Sequence, residues 1–125
     1  MGDRALIQLK DRGGNFSPVL YLHWKGDQVG SILQRTAVRM GDRIDDISYS
    51  FARLVQEAMM DDQGNLSFGV WNADHELTVK DSHGDAGVFL ADVSSSTWKV
   101  KCSGGYGIPK ADDYVNLIVE QEPAA

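Results

Sequence analysis

Bulky apolar side chains recur with two different periods in this sequence, and the first two segments have the short period of β-strands. Residues 4–10 (RALIQLK) and residues 19–24 (VLYLHW) contain the branched and aromatic side chains that fit a pleated surface. The loop between them, DRGGNFSP, is rich in turn-forming residues. The two segments are therefore predicted to form an antiparallel hairpin.

After Gly26 the apolar residues have the three- and four-residue spacing of a helix. The apolar positions of the first predicted helix are Val29, Ile32, Leu33, Ala37 and Met40, and those of the second are Ile47, Phe51, Leu54, Val55, Ala58 and Met59. Asp27 is the expected N-cap of the first helix and Gly41 its expected end. Asp45 and Asp46 precede the second helix, where the helix dipole favours carboxylates.

The rest of the chain is predicted to consist of strands and turns. Residues 61–65 (DDQGN) should end the second helix, and the predicted strands are residues 66–71, 76–80, 88–93 and 98–102. Residues 114–120 have a composition that fits either a strand or a helix. The fold class is therefore a single α+β domain over residues 1–125, with a largely antiparallel sheet in the order ββααβββ, one further strand being open.

Both helices should cover one face of this sheet and build the core. We expect Leu22, Phe51, Leu54, Phe68 and Val70 to be buried together, because they come from the most periodic segments. Trp98, Val100 and Cys102 alternate with two lysines and should also share one face.

A histidine in the second strand suggests a functional face. Alternation directs Leu20, Leu22 and Trp24 to the helices and places Tyr21 and His23 together on the opposite face. Such a pair can bind a ligand or exchange a proton. A half-buried histidine with a purely structural role is the alternative. The turn after Trp71 adds Asn72, Asp74 and His75 as candidate binding residues.

The spacing of the histidines and the surroundings of the cysteine do not indicate a metal site or a cysteine enzyme. His23, His75 and His83 match no metal-ligand signature, so neither a metal nor a cofactor is predicted. The single cysteine, Cys102, matches no cysteine-enzyme motif and fits a reducing compartment. Arg35 and Arg39 border the apolar stripe of the first helix and are expected to pair with the acids that begin the second.

The net charge of −6 is unevenly distributed. Residues 1–43 contain seven Lys/Arg against four Asp, whereas residues 44–125 contain five Lys/Arg against fourteen Asp/Glu. An acidic surface argues against nucleic-acid binding and is compatible with a basic patch on a protein. Without a signal peptide or a membrane span in the sequence, a cytoplasmic location is expected.

Three stretches carry a resemblance to a known group of proteins. VLYLHWKGD, YSFARLVQEAM and GNLSFGVWN, within residues 4–72, resemble small uncharacterised proteins of phages, prophages and bacterial mobile elements. Those proteins share a strand similar to VYL-x-H-W-x-G. The resemblance implies a mobile-element context, in which small acidic domains often bind host proteins, and it assigns no catalytic residue.

These features favour a non-enzymatic protein-interaction module, an inhibitor or accessory factor that acts on a host protein. The alternative is a small-ligand-binding or hydrolytic protein that uses the Tyr21/His23 face and the turn at residues 72–75. Self-association of the chain stays open at this point.

Overall fold

The computed structural model describes residues 2–60, 67–109 and 111–122. Over these ranges the strands are β1 (Ala5–Lys10), β2 (Val19–Leu22), β3 (Phe68–Trp71), β4 (Gly87–Asp92), β5 (Trp98–Ser103) and β6 (Leu117–Gln121). The helices are α1 (Val29–Met40) and α2 (Ile47–Met59). The α+β class is confirmed, and the ambiguous tail is the strand β6. Neither described helix has the length and apolarity needed to cross a membrane.

The described strands form one mixed sheet in the order β3-β2-β1-β4-β5-β6. The pairs β1–β2, β2–β3 and β4–β5 are antiparallel, whereas β1–β4 and β5–β6 are parallel. The predicted hairpin of β1 and β2 is therefore confirmed. The predicted largely antiparallel sheet holds only in part, because β4 lies beside β1 in the same direction and β6 follows β5 in the same way.

Both helices pack on one face of the sheet and form the main core with it. Buried residues of this core include Ile7, Leu20, Leu22, Ile32, Leu33, Leu54, Phe89, Trp98, Val100 and Cys102. Phe51 and Phe68 are half-buried against it. Val70 was expected in this core, but its side chain is 51% exposed. That expectation is wrong because β3 is an edge strand, so fewer neighbours cover its side chains.

Two helix boundaries follow the predicted signals. Gly41 ends α1 with a positive φ of 55°, a backbone angle that favours glycine. Asp46 is the N-cap of α2, and its carboxylate accepts a hydrogen bond from the Tyr49 N–H at 3.2 Å. The predicted helix break at residues 61–65 and the position of Leu66 lie outside the described residues.

The start of α1 differs from the prediction. A 3-10 turn, Gly26–Gln28, precedes the helix, and the Asp27 side chain does not cap it. Asp3 takes the role instead, since its carboxylate accepts from the Asp27 N–H at 3.0 Å and its carbonyl from the Gly26 N–H at 2.7 Å. A distant residue thus satisfies the free backbone groups of this turn, which local sequence does not reveal.

The strand predicted at residues 76–80 is not formed. Residues 72–82 cross the sheet face opposite the helices, and Leu77 is buried there with Leu6, Val19 and Val88. The Leu77 N–H donates to the Oε1 of the buried Gln8 at 2.8 Å. The segment therefore docks mainly through the buried Leu77 side chain and the Gln8 anchor, without pairing as a strand.

The arginines of α1 are paired, but not with the acids that begin α2. Arg35 Nε and Arg39 Nε donate to the two carboxylate oxygens of Glu57, at 2.9 and 2.6 Å. The Glu57 side chain is only 2% exposed. Burial on its own would raise the pKa of Glu57, but the two arginine hydrogen bonds outweigh it and the pKa is lowered. Glu57 is therefore ionised and ties the two helices together.

Candidate functional site

Tyr21 and His23 form the pair that strand alternation predicts. The Tyr21 hydroxyl lies 2.6 Å from His23 Nδ1, and the Tyr21 side chain belongs to the face opposite the helices. Because Tyr21 ends in a hydroxyl, it can donate to Nδ1 or accept from it, depending on the tautomer of the imidazole. The hydrogen bond fixes the orientation of both rings at the end of β2.

Three more rings join this pair. Tyr21 stacks on Trp71 with 5.9 Å between ring centroids, and His83 lies 5.6 Å from Tyr21. His23 meets Trp24 edge to face at 4.5 Å. We call Tyr21, His23, Trp24, Trp71 and His83 the aromatic patch. Its rings contact one another at the distances typical of favourable aromatic pairs.

Strand register explains the position of Trp71. Val19 pairs with Trp71 and Tyr21 pairs with Gly69, so Trp71 lies on the same face as Tyr21 and one pair further along. Glycine opposite Tyr21 leaves the space between the two rings free of a side chain. The stacking of Trp71 on Tyr21 is therefore a diagonal cross-strand contact of the kind that stabilises antiparallel pairs.

Trp24 was predicted to point into the helices, and this prediction is wrong. Strand β2 ends at Leu22, so the alternation that would have buried Trp24 does not continue. The Trp24 side chain is 51% exposed, and its Nε1 donates to Ser67 Oγ at 3.2 Å. The change of direction at His23 brings a second tryptophan into the aromatic patch.

The amino-terminal segment shields His23. The Asp3 N–H donates to the His23 carbonyl at 2.7 Å. A Cβ added to Gly2 would lie 2.9 Å from His23 Nε2, so the chain passes directly over that ring nitrogen. With Nδ1 bonded to Tyr21 and Nε2 covered, His23 is half-buried and poorly placed to exchange a proton with a substrate.

An ion pair borders the aromatic patch. Arg4 Nε donates to Asp85 Oδ2 at 2.8 Å, and the Arg4 backbone N–H donates to the same oxygen at 3.1 Å. These hydrogen bonds lower the pKa of Asp85, and the positive charge of His23 acts in the same direction when its ring is protonated. Asp85 has a positive φ of 57°, which places its carboxylate at the turn before β4.

The turn at residues 72–75 does not join the Tyr21/His23 pair. Asn72, Asp74 and His75 are exposed, and among the described residues no hydrogen bond or ring contact links any of them to His23. His75 instead lies between two carboxylates, with Nδ1 2.7 Å from Asp74 Oδ1 and Nε2 3.0 Å from Asp81 Oδ1. Trp71 and His83, which lie on either side of residues 72–82 in sequence, are the neighbouring residues that belong to the aromatic patch.

The position of His75 between Asp74 and Asp81 leads to a prediction about pH dependence. Hydrogen bonds to Asp74 and then Asp81 raise the pKa of His75, because a protonated ring can donate to both. The resulting stabilisation of residues 72–82 is complete below the pKa of unfolded histidine and is lost as the pH rises through the higher folded pKa. We expect the His75 ring protons, followed by NMR, to titrate above the range of an unstructured histidine.

Replacing Asp74 by asparagine should move the His75 midpoint downward, and added salt should weaken the effect because Asp74 is exposed. Asp112→Asn removes the same charge from an exposed position elsewhere and should leave the midpoint in place. A midpoint that is identical in the wild type and in Asp74→Asn would contradict this assignment.

The residues that the structure describes are not arranged for metal binding or for thiol chemistry. No group of three or more histidine, cysteine, aspartate and glutamate side chains in residues 2–60, 67–109 and 111–122 is arranged to hold a metal ion. Cys102 is buried, and burial raises the pKa of its thiol to about 11. It therefore stays protonated at neutral pH and acts as a small apolar side chain.

Two residues of the aromatic patch, Trp71 and His83, were not predicted from the sequence. Trp71 carried a usable signal, since Phe68 and Val70 were assigned to one side of their strand and Trp71 therefore to the other. His83 carried no such signal, because its contact with Tyr21 depends on the path of residues 72–82 across the sheet.

Comparison of the chain with protein-family models, with curated proteins and with solved structures found no match.

Proposed function

We propose that this chain is a non-enzymatic protein-interaction module and that the aromatic patch is its contact surface. The observation that carries the proposal is the exposure of two tryptophans within one group of touching rings: Trp24 is 51% exposed and Trp71 is 44% exposed. Grouped apolar side chains of this size on a surface are typical of interaction sites.

The rigidity of the patch supports a binding role. Tryptophan and tyrosine dominate the energetics of protein interfaces because they bury a large area at a small entropic cost. Here that cost is reduced further, since Trp71 is stacked on Tyr21 and the Trp24 indole nitrogen is bonded to Ser67. A partner meets a surface that is already ordered, and less free energy is lost on binding.

Charge indicates the kind of partner. The segment that borders the patch, residues 72–85, contains four carboxylates and one lysine, and the whole chain has a net charge of −6. A protein surface with basic side chains around an apolar centre is complementary to this arrangement. The resemblance to phage and prophage proteins favours a host protein as that partner, with the chain acting as an inhibitor or accessory factor.

The ligand-binding or hydrolytic alternative has less support. It required His23 to act together with Asn72, Asp74 or His75, and His75 is instead paired with Asp74 and Asp81. The covering of His23 Nε2 by the backbone at Gly2 also leaves little room for a substrate at that nitrogen. The Tyr21–His23 hydrogen bond is explained as a support for the patch.

Replacing both patch tryptophans by alanine should weaken binding by at least about thirtyfold, because the loss of a single anchor of this kind costs about 2 kcal/mol or more. The partner would be captured from bacterial lysate on immobilised wild-type protein, identified, purified and titrated against each variant. Melting temperatures should change little, since both indoles are largely outside the core.

The matched control is Ile118→Ala, which removes a side chain of similar exposure (46%) from the strand at the opposite edge of the sheet. Its affinity should equal that of the wild type. An unchanged dissociation constant in the double tryptophan variant would locate the contact surface elsewhere. Concentration-dependent dimerisation that the double variant abolishes would identify the partner as a second copy of the chain.

A further inference from the structure

An arginine-lined surface cavity, which is shallow and open to solvent, lies on the helical side of the molecule, away from the aromatic patch. It has a volume of about 240 Å³, and its lining residues are Arg39, Met40, Arg43, Tyr49, Arg53 and Gln56. No carboxylate is among these residues, although the protein as a whole is acidic. We infer that this cavity is a binding site for the phosphate group of a small soluble molecule.

Arg39 is held in position by a buried carboxylate. Its Nε donates to Glu57 at 2.6 Å, and Glu57 also receives a hydrogen bond from Arg35. The Nε of Arg39 is used in this ion pair and one Nη donates weakly to the Met60 sulfur at 3.7 Å, so the other Nη remains available. The buried Glu57 thus orients a guanidinium whose outer edge faces the cavity.

Arg43 is fixed by different contacts. Its guanidinium lies 3.6 Å from the centre of the Tyr49 ring, in cation–π geometry, and one Nη donates to Asp46 at 3.0 Å. A planar guanidinium presents five donors, so the contacts with Asp46 and Tyr49 leave some of them free. The stacking on Tyr49 keeps the group at the cavity wall and removes much of its rotational freedom.

Arg53 completes the set and differs from the other two. It is exposed, and it forms neither a hydrogen bond nor an ion pair with the residues that the structure describes. It follows Tyr49 by four positions and precedes Gln56 by three, so the three side chains lie on one stripe of α2. An unpaired guanidinium beside two oriented ones is the arrangement expected of an anion site before its ligand binds.

Charge and size together favour phosphate over a carboxylate. Arg39, Arg43 and Arg53 bring three positive charges to the cavity wall, and the carboxylates bonded to Arg39 and Arg43 are those of Glu57 and Asp46. A phosphate dianion has three terminal oxygens, which can accept from more than one guanidinium at the same time. The cavity is below the usual size of drug-sized sites, so it suits a single anionic group with a small substituent.

The test follows the arginine Nε–Hε signals by NMR during titration with inorganic phosphate at constant ionic strength. We expect saturable shifts at Arg39, Arg43 and Arg53, and little response to acetate or chloride. Arg53→Gln should weaken phosphate binding at least about tenfold, because it removes a charged donor from the site. Arg53 is exposed, so the melting temperature of this variant should be that of the wild type.

Arg12→Gln is the matched control, since it removes the same charge from an exposed loop outside the cavity and should bind phosphate normally. Phenyl phosphate distinguishes the source: tighter binding than inorganic phosphate assigns the cavity to phosphate esters, and weaker binding assigns it to the free ion. Acetate that binds as tightly as phosphate, shifts that do not saturate, or equal affinity in Arg53→Gln would each overturn the inference.

Discussion

Leu54→Ala is expected to lower the free energy of unfolding by about 2–5 kcal/mol, as large-to-small changes in a well-packed core do. Leu54 lies at the centre of α2, is fully buried and belongs to the core formed by both helices and the sheet. Truncation removes its contacts with that core and leaves a cavity that the surrounding strands cannot fill. Urea denaturation should show a lower midpoint with an unchanged slope.

Two further variants make the result specific. Val38→Ala truncates an exposed position of α1 and should change stability by less than about 0.5 kcal/mol. Phe51→Ala, at a half-buried position of α2, should fall between the two. If Leu54→Ala were as stable as Val38→Ala, the packing of α2 on the sheet would be incorrect.

The helices could be predicted because their signals are local. Each has apolar side chains at three- and four-residue intervals, and the residues that end α1 and begin α2, Gly41 and Asp46, have side-chain and backbone properties that act within one turn. The start of α1 could not be found in this way. Its free N–H groups are satisfied by Asp3, which lies more than twenty positions earlier in the chain.

The sheet order was harder to predict, because it depends on contacts between distant segments. Alternation around Leu77 is compatible with a strand, and Leu77 is buried. The segment nevertheless takes its backbone partner from a side chain, Gln8, in β1. A glutamine within an apolar strand carries no local indication that it will anchor another part of the chain. The parallel pairing of β4 with β1 was missed because it joins two segments that are far apart in sequence.

The candidate site was predicted in part for the same reason. Tyr21 and His23 share a face because alternation within one strand brings them together, and this needed no tertiary information. Trp24 was misplaced because β2 ends two residues earlier than its composition suggests. His83 and Asp85 lie in the turn before β4, and the path of residues 72–82 sets the position of that turn. The contacts of His83 with Tyr21 and of Asp85 with Arg4 therefore depend on the tertiary structure.

Gln8→Leu should therefore destabilise the protein by on the order of 2–5 kcal/mol, although leucine fits an apolar strand well. Gln8 is fully buried, accepts from the Leu77 N–H and donates to the His75 carbonyl at 3.2 Å. A weaker contact of 3.4 Å reaches the Ser17 carbonyl. Leucine would leave these backbone groups without their partner, at a cost of about 1–3 kcal/mol for each one that is buried.

The effect should be concentrated in the segment that Gln8 anchors. Hydrogen exchange at the Leu77 N–H is expected to accelerate more than exchange in α1 and α2, because local release of residues 72–82 leaves the main core intact. Gln28→Leu makes the same change at an exposed position and should leave both stability and exchange nearly unaltered. Since residues 72–82 hold His83 against Tyr21, their release should also loosen the aromatic patch and reduce partner binding. Normal Leu77 protection in Gln8→Leu would mean that Leu77 burial alone holds the segment, and that the polar anchor contributes little.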